Sequence, residues 1–411
     1  MDRFKDLIAE AARCLDCRHK PCVAACPAKN DIPGLMKAVK NGDFQGAKAL
    51  WDKTSNLPEL CGALCQQEVM CEGACTLNKI KKPVRIGEVE RGLALLFWGE
   101  TDLPQTAIDH THLVIGMGPA GLANAIAMAK MGYQVDAVDA HPRIGGAIWN
   151  LVPPFRFDAN DLSSIEVKLA KLGVRVKYNF LVGRDAALSD LIDQYDSVFI
   201  AHGLDVPQLV PGFAGPNVFY AIDLLNRVRH SPVSLDRLVG RRVVVVGLGS
   251  VACDTARTFA RLGRDVQIVY RRTLAEAPAS PKEIAETLAE GIRIDVLRNP
   301  KSFASGILVC ERTELVKDDA SPRGRIVTVP GADLEIPCDT VVFAIGQLSS
   351  DAVFAGTGIV LRPDLSPYAT SDPKVYVGGD RIIKEKRIVD AMVSGIEAAR
   401  LIREACTCGS R

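Results

Sequence analysis

The chain has 411 residues, enough for two to four domains with substantial cores, and its 50 Lys and Arg against 49 Asp and Glu leave a net charge of +1. That balance carries neither a basic nucleic-acid footprint nor an acidic tail. No apolar run approaches the roughly 18 residues of a membrane span, and the opening MDRFKDLIAEAARC alternates charged and apolar positions without a secretory core, so a soluble cytoplasmic chain with no nucleic-acid or membrane partner is expected.

Residues 1–105 read as helical. Asp31 is placed to cap a helix with Pro33 in its first turn, Leu35, Met36 and Val39 share a face, and Gly42 stops it. Of the thirteen cysteines, eight fall between Cys14 and Cys75. In a reducing compartment that density points to metal or redox chemistry rather than disulfides. The first run is CxxCxxxxCxxxCP, made of Cys14, Cys17, Cys22, Cys26 and Pro27. Three closely spaced thiolates can cap one face of an iron-sulfur cubane, while the fourth, held extended by the following proline, points away and implies a second cluster. CGALCQQEVMCEGAC adds Cys61, Cys65, Cys71 and Cys75, making eight thiols, the number two 4Fe-4S clusters require. Structural zinc is the alternative, but only Cys14 and Cys17 form the CxxC pair that zinc sites favour.

From residue 106 the texture changes to apolar strands alternating with helices, the pattern of parallel βαβ sheets. Gly116, Gly118 and Gly121 form GxGxxG between the strand HLVIG and a helix. The first permits a tight turn, the second lets a pyrophosphate approach the backbone, and the third lets helix and strand pack closely, with the helix N-terminus facing the phosphates. Asp139 ends the next strand, where a carboxylate can accept both ribose hydroxyls. The unit recurs at Gly247, Gly249 and Ala252, but its second strand ends in Arg271 and Arg272 instead of an acid, which suits a 2′-phosphate and leans towards NADPH. Surface solvation of the strand end is the other use of these arginines. RHSPVSLDR, between the two units, reads as a surface connection. Cys253 reads as a small buried hydrophobe.

A late strand, VYVGGDRI, places Gly379 and Asp380 before a helix whose Ile388, Ala391, Met392 and Ile396 face inward. With Gly116 to Gly121, it resembles the two-dinucleotide flavoprotein reductases. The resemblance implies an α/β chain with two Rossmann-like dinucleotide-binding domains behind an N-terminal all-α iron-sulfur domain. Its boundaries would be 1–105 for two 4Fe-4S clusters, 106–205 and 346–411 for a split FAD-binding domain, and 206–345 for an inserted NAD(P)H-binding domain. FAD would meet Gly116, Gly118, Gly121, Asp139, Gly146, Gly379, Asp380 and Val389, with the last helix aiming its N-terminus at the flavin. NAD(P)H would meet Gly247, Gly249, Ala252, Arg271, Arg272 and Gly346. No CxxxxC or CxxC redox pair follows either fingerprint, so electrons must leave the flavin by another route.

The cysteine runs together with PVRIGEVER, GMGPAG, GLGSVACD, FAIGQ and YVGGD resemble the small subunit of bacterial glutamate synthase and the NAD(P)H-binding half of dihydropyrimidine dehydrogenase. The separate flavin subunit of the bacterial dehydrogenase, the PreT type, is the nearest in length and in its cysteine-bearing tail. That resemblance implies one cluster on Cys14, Cys17, Cys22 and Cys75, and another on Cys26, Cys65, Cys71 and a side-chain oxygen from Glu90, with Cys61 a bystander. A surface ion pair with Arg85 or Arg91 is the alternative for Glu90. LVPPFRFD and Asp139 depart from the family's pattern, as does AHG, which leaves His202 near the expected cofactor as a proton donor or as a packed ring. Cys406 and Cys408 read as a tail thiol pair or as mobile surface cysteines.

The implied function is electron input: NAD(P)H to FAD, through two 4Fe-4S clusters, to an FMN-containing partner that reduces uracil or thymine. A glutamate synthase large subunit is the alternative partner. A nucleotide-binding iron-sulfur redox sensor or scaffold is a third reading, against which the intact nucleotide motifs argue.

Overall fold

The computed structural model describes residues 2–158, 160–230, 238–318 and 321–408. Most of RHSPVSLDR lies outside the described residues. The chain packs as two compact units: residues 1–149, 154–205 and 349–411 form the first, and 150–153 with 206–348 form the second.

The first unit opens with helices α1 (Asp2–Ala12), α2 (Pro21–Ala25), α3 (Ile32–Lys40), α4 (Phe44–Trp51), α5 (Pro58–Leu64) and α6 (Ile86–Leu96). Leu7, Leu35, Met36, Val39, Trp51, Val89 and Leu93 bury a common apolar core among them. Gly42 ends α3 at φ 74°, as its sequence position requires. Asp31 stands at the N-cap but makes no cap bond. Pro33 has no N–H to offer at the second helical position, and the Asp31 carboxylate instead accepts from Lys20 Nζ at 2.9 Å.

A five-stranded parallel sheet follows, built from β1 (Thr111–Ile115), β2 (Gln134–Val138), β3 (Arg175–Lys177), β4 (Ser197–Ile200) and, from the end of the chain, β15 (Val375–Val377), in the order β15-β4-β1-β2-β3. Helix α7 (Pro119–Lys130) joins β1 to β2, and α8 (Asn160–Lys171) precedes β3. The terminal helix, Ile388–Cys408, lies along α7 closely enough that a Cβ on Gly395 would stand 2.1 Å from the Ala120 carbonyl oxygen. Val389, Ala391 and Met392 are buried on it, whereas Ile388 and Ile396 are only half-buried. The helix carries Cys406 where a loose surface position was one expectation. Cys406 lies within it, half-buried, its Sγ 3.5 Å from His110 Nε2. The Cys408 side chain lies outside the described residues.

The second unit has its own parallel sheet: β6 (Val218–Tyr220), β7 (Arg242–Val246), β8 (Asp265–Tyr270), β9 (Arg293–Val296) and β13 (Thr340–Phe343), ordered β6-β13-β7-β8-β9. An antiparallel sheet of β10 (Arg298–Ala304), β11 (Ile307–Asp318) and β12 (Ser321–Pro337) extends it, and β5 (Val206–Pro207) pairs with β14 (Gln347–Leu348). Cys253 is buried in its core with Val243, Ala256 and Phe259. Among the described residues, no helix is long and apolar enough to cross a membrane.

Candidate functional site

Each fingerprint glycine of the first unit meets a specific steric demand. Gly116 turns at φ 92° and has the Ala201 carbonyl 2.6 Å from where a Cβ would sit. At Gly121 a Cβ would lie 1.8 Å from the Gly116 carbonyl oxygen, so α7 rests on the strand turn backbone to backbone. A Cβ on Gly146 would lie 2.9 Å from the Gly118 Cα, and one on Gly379 would meet the Ala120 Cβ at 3.1 Å. Gly116, Gly118, Gly121, Gly146 and Gly379 therefore surround the mouth of α7, leaving a side-chain-free cradle of the kind a pyrophosphate needs. Asp139 is buried there; its Oδ2 accepts from Met117 N–H at 2.6 Å and its Oδ1 from His141 N–H at 2.8 Å. The carboxylate thus braces the glycine turn while retaining acceptor capacity for a ribose. Asp380 follows Gly379 in a 3-10 turn, and burial pushes its carboxyl above the ordinary range. His202 shares Nε2 with Ser349 Oγ at 2.9 Å and the Ser350 carbonyl at 3.1 Å; burial lowers its pKa and favours the neutral ring.

In the second unit Gly247 turns at φ 123°, with the Ala344 carbonyl 2.3 Å from an added Cβ, and Gly346 turns at φ 123° just beyond the neighbouring strand. Gly249 has nothing nearer than Pro278, 3.8 Å from an added Cβ, and Ala252 is fully buried. Arg271 follows β8 with its backbone carbonyl held by Thr313 Oγ1 at 2.9 Å, while its exposed guanidinium makes no ion pair among the described residues. Arg272 is half-buried and reaches the Gly324 carbonyl at 3.4 Å.

The helical segment holds two cysteine-lined cavities. Cys14, Cys17, Cys22 and Cys75 line the first, with about 390 Å³ of space between their atoms. Cys26, Cys65, Cys71, Cys61 and Glu90 line the second, with about 630 Å³ of space between its atoms and the adjoining solvent, and Val389 also borders it. The chain passes from one to the other at the end of α2, where Cys26 is extended (φ −83°, ψ 121°) ahead of Pro27. Among the described residues no three His, Cys, Asp or Glu side chains converge on one ion-sized point. Four cysteines round the first cavity, and Cys26, Cys65 and Cys71 with Glu90 round the second, match the four ligands that a 4Fe-4S cubane takes.

The donor chemistry agrees. Burial raises the thiols of Cys14, Cys26 and Cys71 and pushes Cys22 to about 11, so they hold protons until a cation displaces them. Burial, then repulsion from Glu59, pushes Glu90 to about 8. Glu90 makes no surface pair: Arg85 bonds Glu10 and Glu88, and Arg91 bonds Asp161. Among the described residues its Oε1 is buried without a partner, as is the indole nitrogen of Trp51 on the same lining. Each such orphan costs about 1–3 kcal/mol, which an occupant able to bond them would relieve. Sequence reasoning passed over Trp51, whose one signal was a lone indole inside an apolar helix. It also set Cys61 aside, yet that thiol is buried in the second wall, 3.9 Å from Met392 Sδ of the terminal helix.

Residues 110–399 match the family described as pyridine nucleotide-disulphide oxidoreductase. The chain belongs to that family. Residues 3–99 match dihydropyrimidine dehydrogenase domain II, 4Fe-4S cluster. This family member is similar to the glutamate synthase [NADPH] small chain of Escherichia coli strain K12, 33% identical over 430 residues that cover 95% of this chain and 89% of that one. It is also similar to the NAD-dependent dihydropyrimidine dehydrogenase subunit PreT of Salmonella typhimurium, 29% identical over 415 residues covering 98% and 95%. Longer relatives match too; of one, 33% identical over 424 residues, the chain spans 64%. Mycobacterium tuberculosis FprA in complex with NADPH shares the fold at a TM-score of 0.61 and 18% identity, over 73% of this chain and 85% of that one. The oxidoreductase family and the 4Fe-4S segment together make this an NAD(P)H-dependent flavin and iron-sulfur oxidoreductase with Rossmann-like domains, using FAD.

Proposed function

We propose that the chain is an electron-input subunit, taking hydride from NAD(P)H and delivering single electrons to a partner subunit. Bound FAD supplies the change from two-electron to one-electron chemistry, and two 4Fe-4S clusters supply the conduction. The observation that carries this reading is the pair of separate cysteine-lined cavities, the second bordered by Val389 at the start of the terminal helix. Cys14, Cys17, Cys22 and Cys75 would hold one cluster; Cys26, Cys65, Cys71 and Glu90 would hold the other. The glycine cradle with Asp139 and Asp380 would seat FAD, and the first turn of the terminal helix would present its N–H groups towards the flavin, favouring negative charge there. Anaerobic mixing with NAD(P)H is expected to bleach flavin and cluster absorbance together; if both stay coloured, the electron-transfer reading is wrong.

For the acceptor, we infer an FMN-containing subunit that reduces uracil or thymine to the 5,6-dihydro form, supported by similarity to PreT across nearly the whole of both chains. A second reading, the small subunit of an NADPH-dependent glutamate synthase feeding its large subunit, is favoured by Arg271, exposed and with no ion pair among the described residues, and by the relative at 33% identity. Arg271→Ala separates the cofactor part of the two. Losing one charge-assisted bond to a 2′-phosphate, about 1.5–3 kcal/mol, should raise KM for NADPH roughly 10- to 100-fold and leave NADH within about twofold. Steady-state reduction of a dye with each nicotinamide measures it, and an intrinsic preference for NADH would remove the NADPH assignment.

A further inference from the structure

Trp51 closes α4 at the wall of the second cavity. Its ring is 4% exposed and packs in the helical core with Leu35, Met36 and Val39. The buried indole N–H, however, has no acceptor among the described residues. On the same lining the Gln67 amide nitrogen is itself a donor, to the carbonyls of Cys61 at 2.9 Å and Gly62 at 3.4 Å. A phenylalanine would fill much of the same core without burying a donor, and an enclosed indole N–H ordinarily has a partner. The cavity it borders is walled by thiols, whose sulfurs, once bonded to iron, are anionic acceptors.

We propose that the Trp51 indole N–H donates a hydrogen bond to a sulfur of the cluster in the second cavity and raises that cluster's reduction potential. This rests on the reading that the cavity holds a 4Fe-4S cluster. The physical reason is differential: reduction adds negative charge to the cluster, and a fixed N–H dipole aimed at sulfur stabilises the reduced state more than the oxidised one. Because the Trp51 nitrogen is itself buried, the effect is larger than it would be at the surface. A higher potential makes the cluster bordered by the terminal helix easier to reduce than it would be without the bond. Trp51 is thus a tuning residue with no part in ligation.

The test uses the intact holoenzyme and its Trp51→Phe variant, which keeps an aromatic ring in the core while removing the donor and part of the indole's bulk. In an anaerobic redox titration followed by electron paramagnetic resonance, one of the two cluster signals should shift to lower potential. At a fixed potential its ratio of reduced to oxidised cluster should fall about tenfold, roughly 59 mV for one electron, with the other signal unmoved. Chain grown with ¹⁵N-indole tryptophan should show ¹⁵N coupling on that reduced cluster in the wild type and lose it in the variant. Trp51 is one of three tryptophans, and neither Trp98 nor Trp149 lines the cavity. Two clusters with an unmoved midpoint and no indole coupling overturn the role of Trp51 alone. A wild-type chain with only about four irons and one signal overturns the two-cluster reading beneath it. Should the variant lose its cluster, the ¹⁵N measurement on the wild type decides by itself.

Discussion

Cys71→Ser is expected to leave the chain with about four irons instead of about eight, removing one cluster and sparing the other. Cys71 lies in the second cavity, 9% exposed, and burial raises its thiol strongly. A serine there offers a hydroxyl that gives up its proton far less readily and a harder oxygen donor that suits iron-sulfur chemistry poorly. Cys14, Cys17, Cys22 and Cys75 border a different space, so their cluster should persist. NAD(P)H should still bleach the flavin, while delivery to the acceptor subunit falls at least a hundredfold because the conducting path is broken. Iron analysis, cluster spectra and acceptor reduction measure the three effects. Unchanged iron and spectra would remove Cys71 from the ligand set. Glu90→Ala should affect the same cluster and leave the first untouched.

Gly121→Ala is expected to cost the chain its flavin. The added methyl would sit 1.8 Å from the Gly116 carbonyl oxygen and 3.2 Å from Val114 Cγ1, so α7 must lift off β1. The helix has little room to move, because a Cβ on Gly395 of the terminal helix would stand only 2.1 Å from the Ala120 carbonyl oxygen. Overpacking of this kind destabilises by about 1–3 kcal/mol, and the shift tilts the N–H groups away from the pyrophosphate. The ratio of flavin to protein absorbance should fall at least tenfold, with a lowered Tm. Full retention of FAD at unchanged Tm would show that the phosphates are not seated at this turn. Ala252 occupies the equivalent position of the second fingerprint and is fully buried, so that helix and strand already accommodate a methyl.

The two strand-glycine-helix units and the division of the chain into a cysteine-rich helical segment and parallel sheets were legible in the sequence. They rest on local constraints: a tight turn needs positive φ, backbone must approach a phosphate, and strands and helices repeat at different periods. The eight-cysteine count was legible for the same reason, since it is composition. The proline after Cys26 already set it apart from Cys14, Cys17 and Cys22, but only the family resemblance, not spacing, put Cys75 with those three. Cys75 shares a cavity with Cys14, far away along the chain, and Cys22 and Cys26, one helical turn apart, border different spaces. Tertiary structure also decided that Asp31 bonds Lys20 instead of capping its helix, that Cys406 lies within a helix against His110, and that Glu90 is enclosed while its neighbours Arg85 and Arg91 find other acids. The orphaned Trp51 N–H belongs with these. Each depends on which distant groups share a buried space, and burial sets both the cost of an unpaired polar atom and the proton affinity of a thiol. A residue type states what an atom can bond; only the packing around it decides what is within reach.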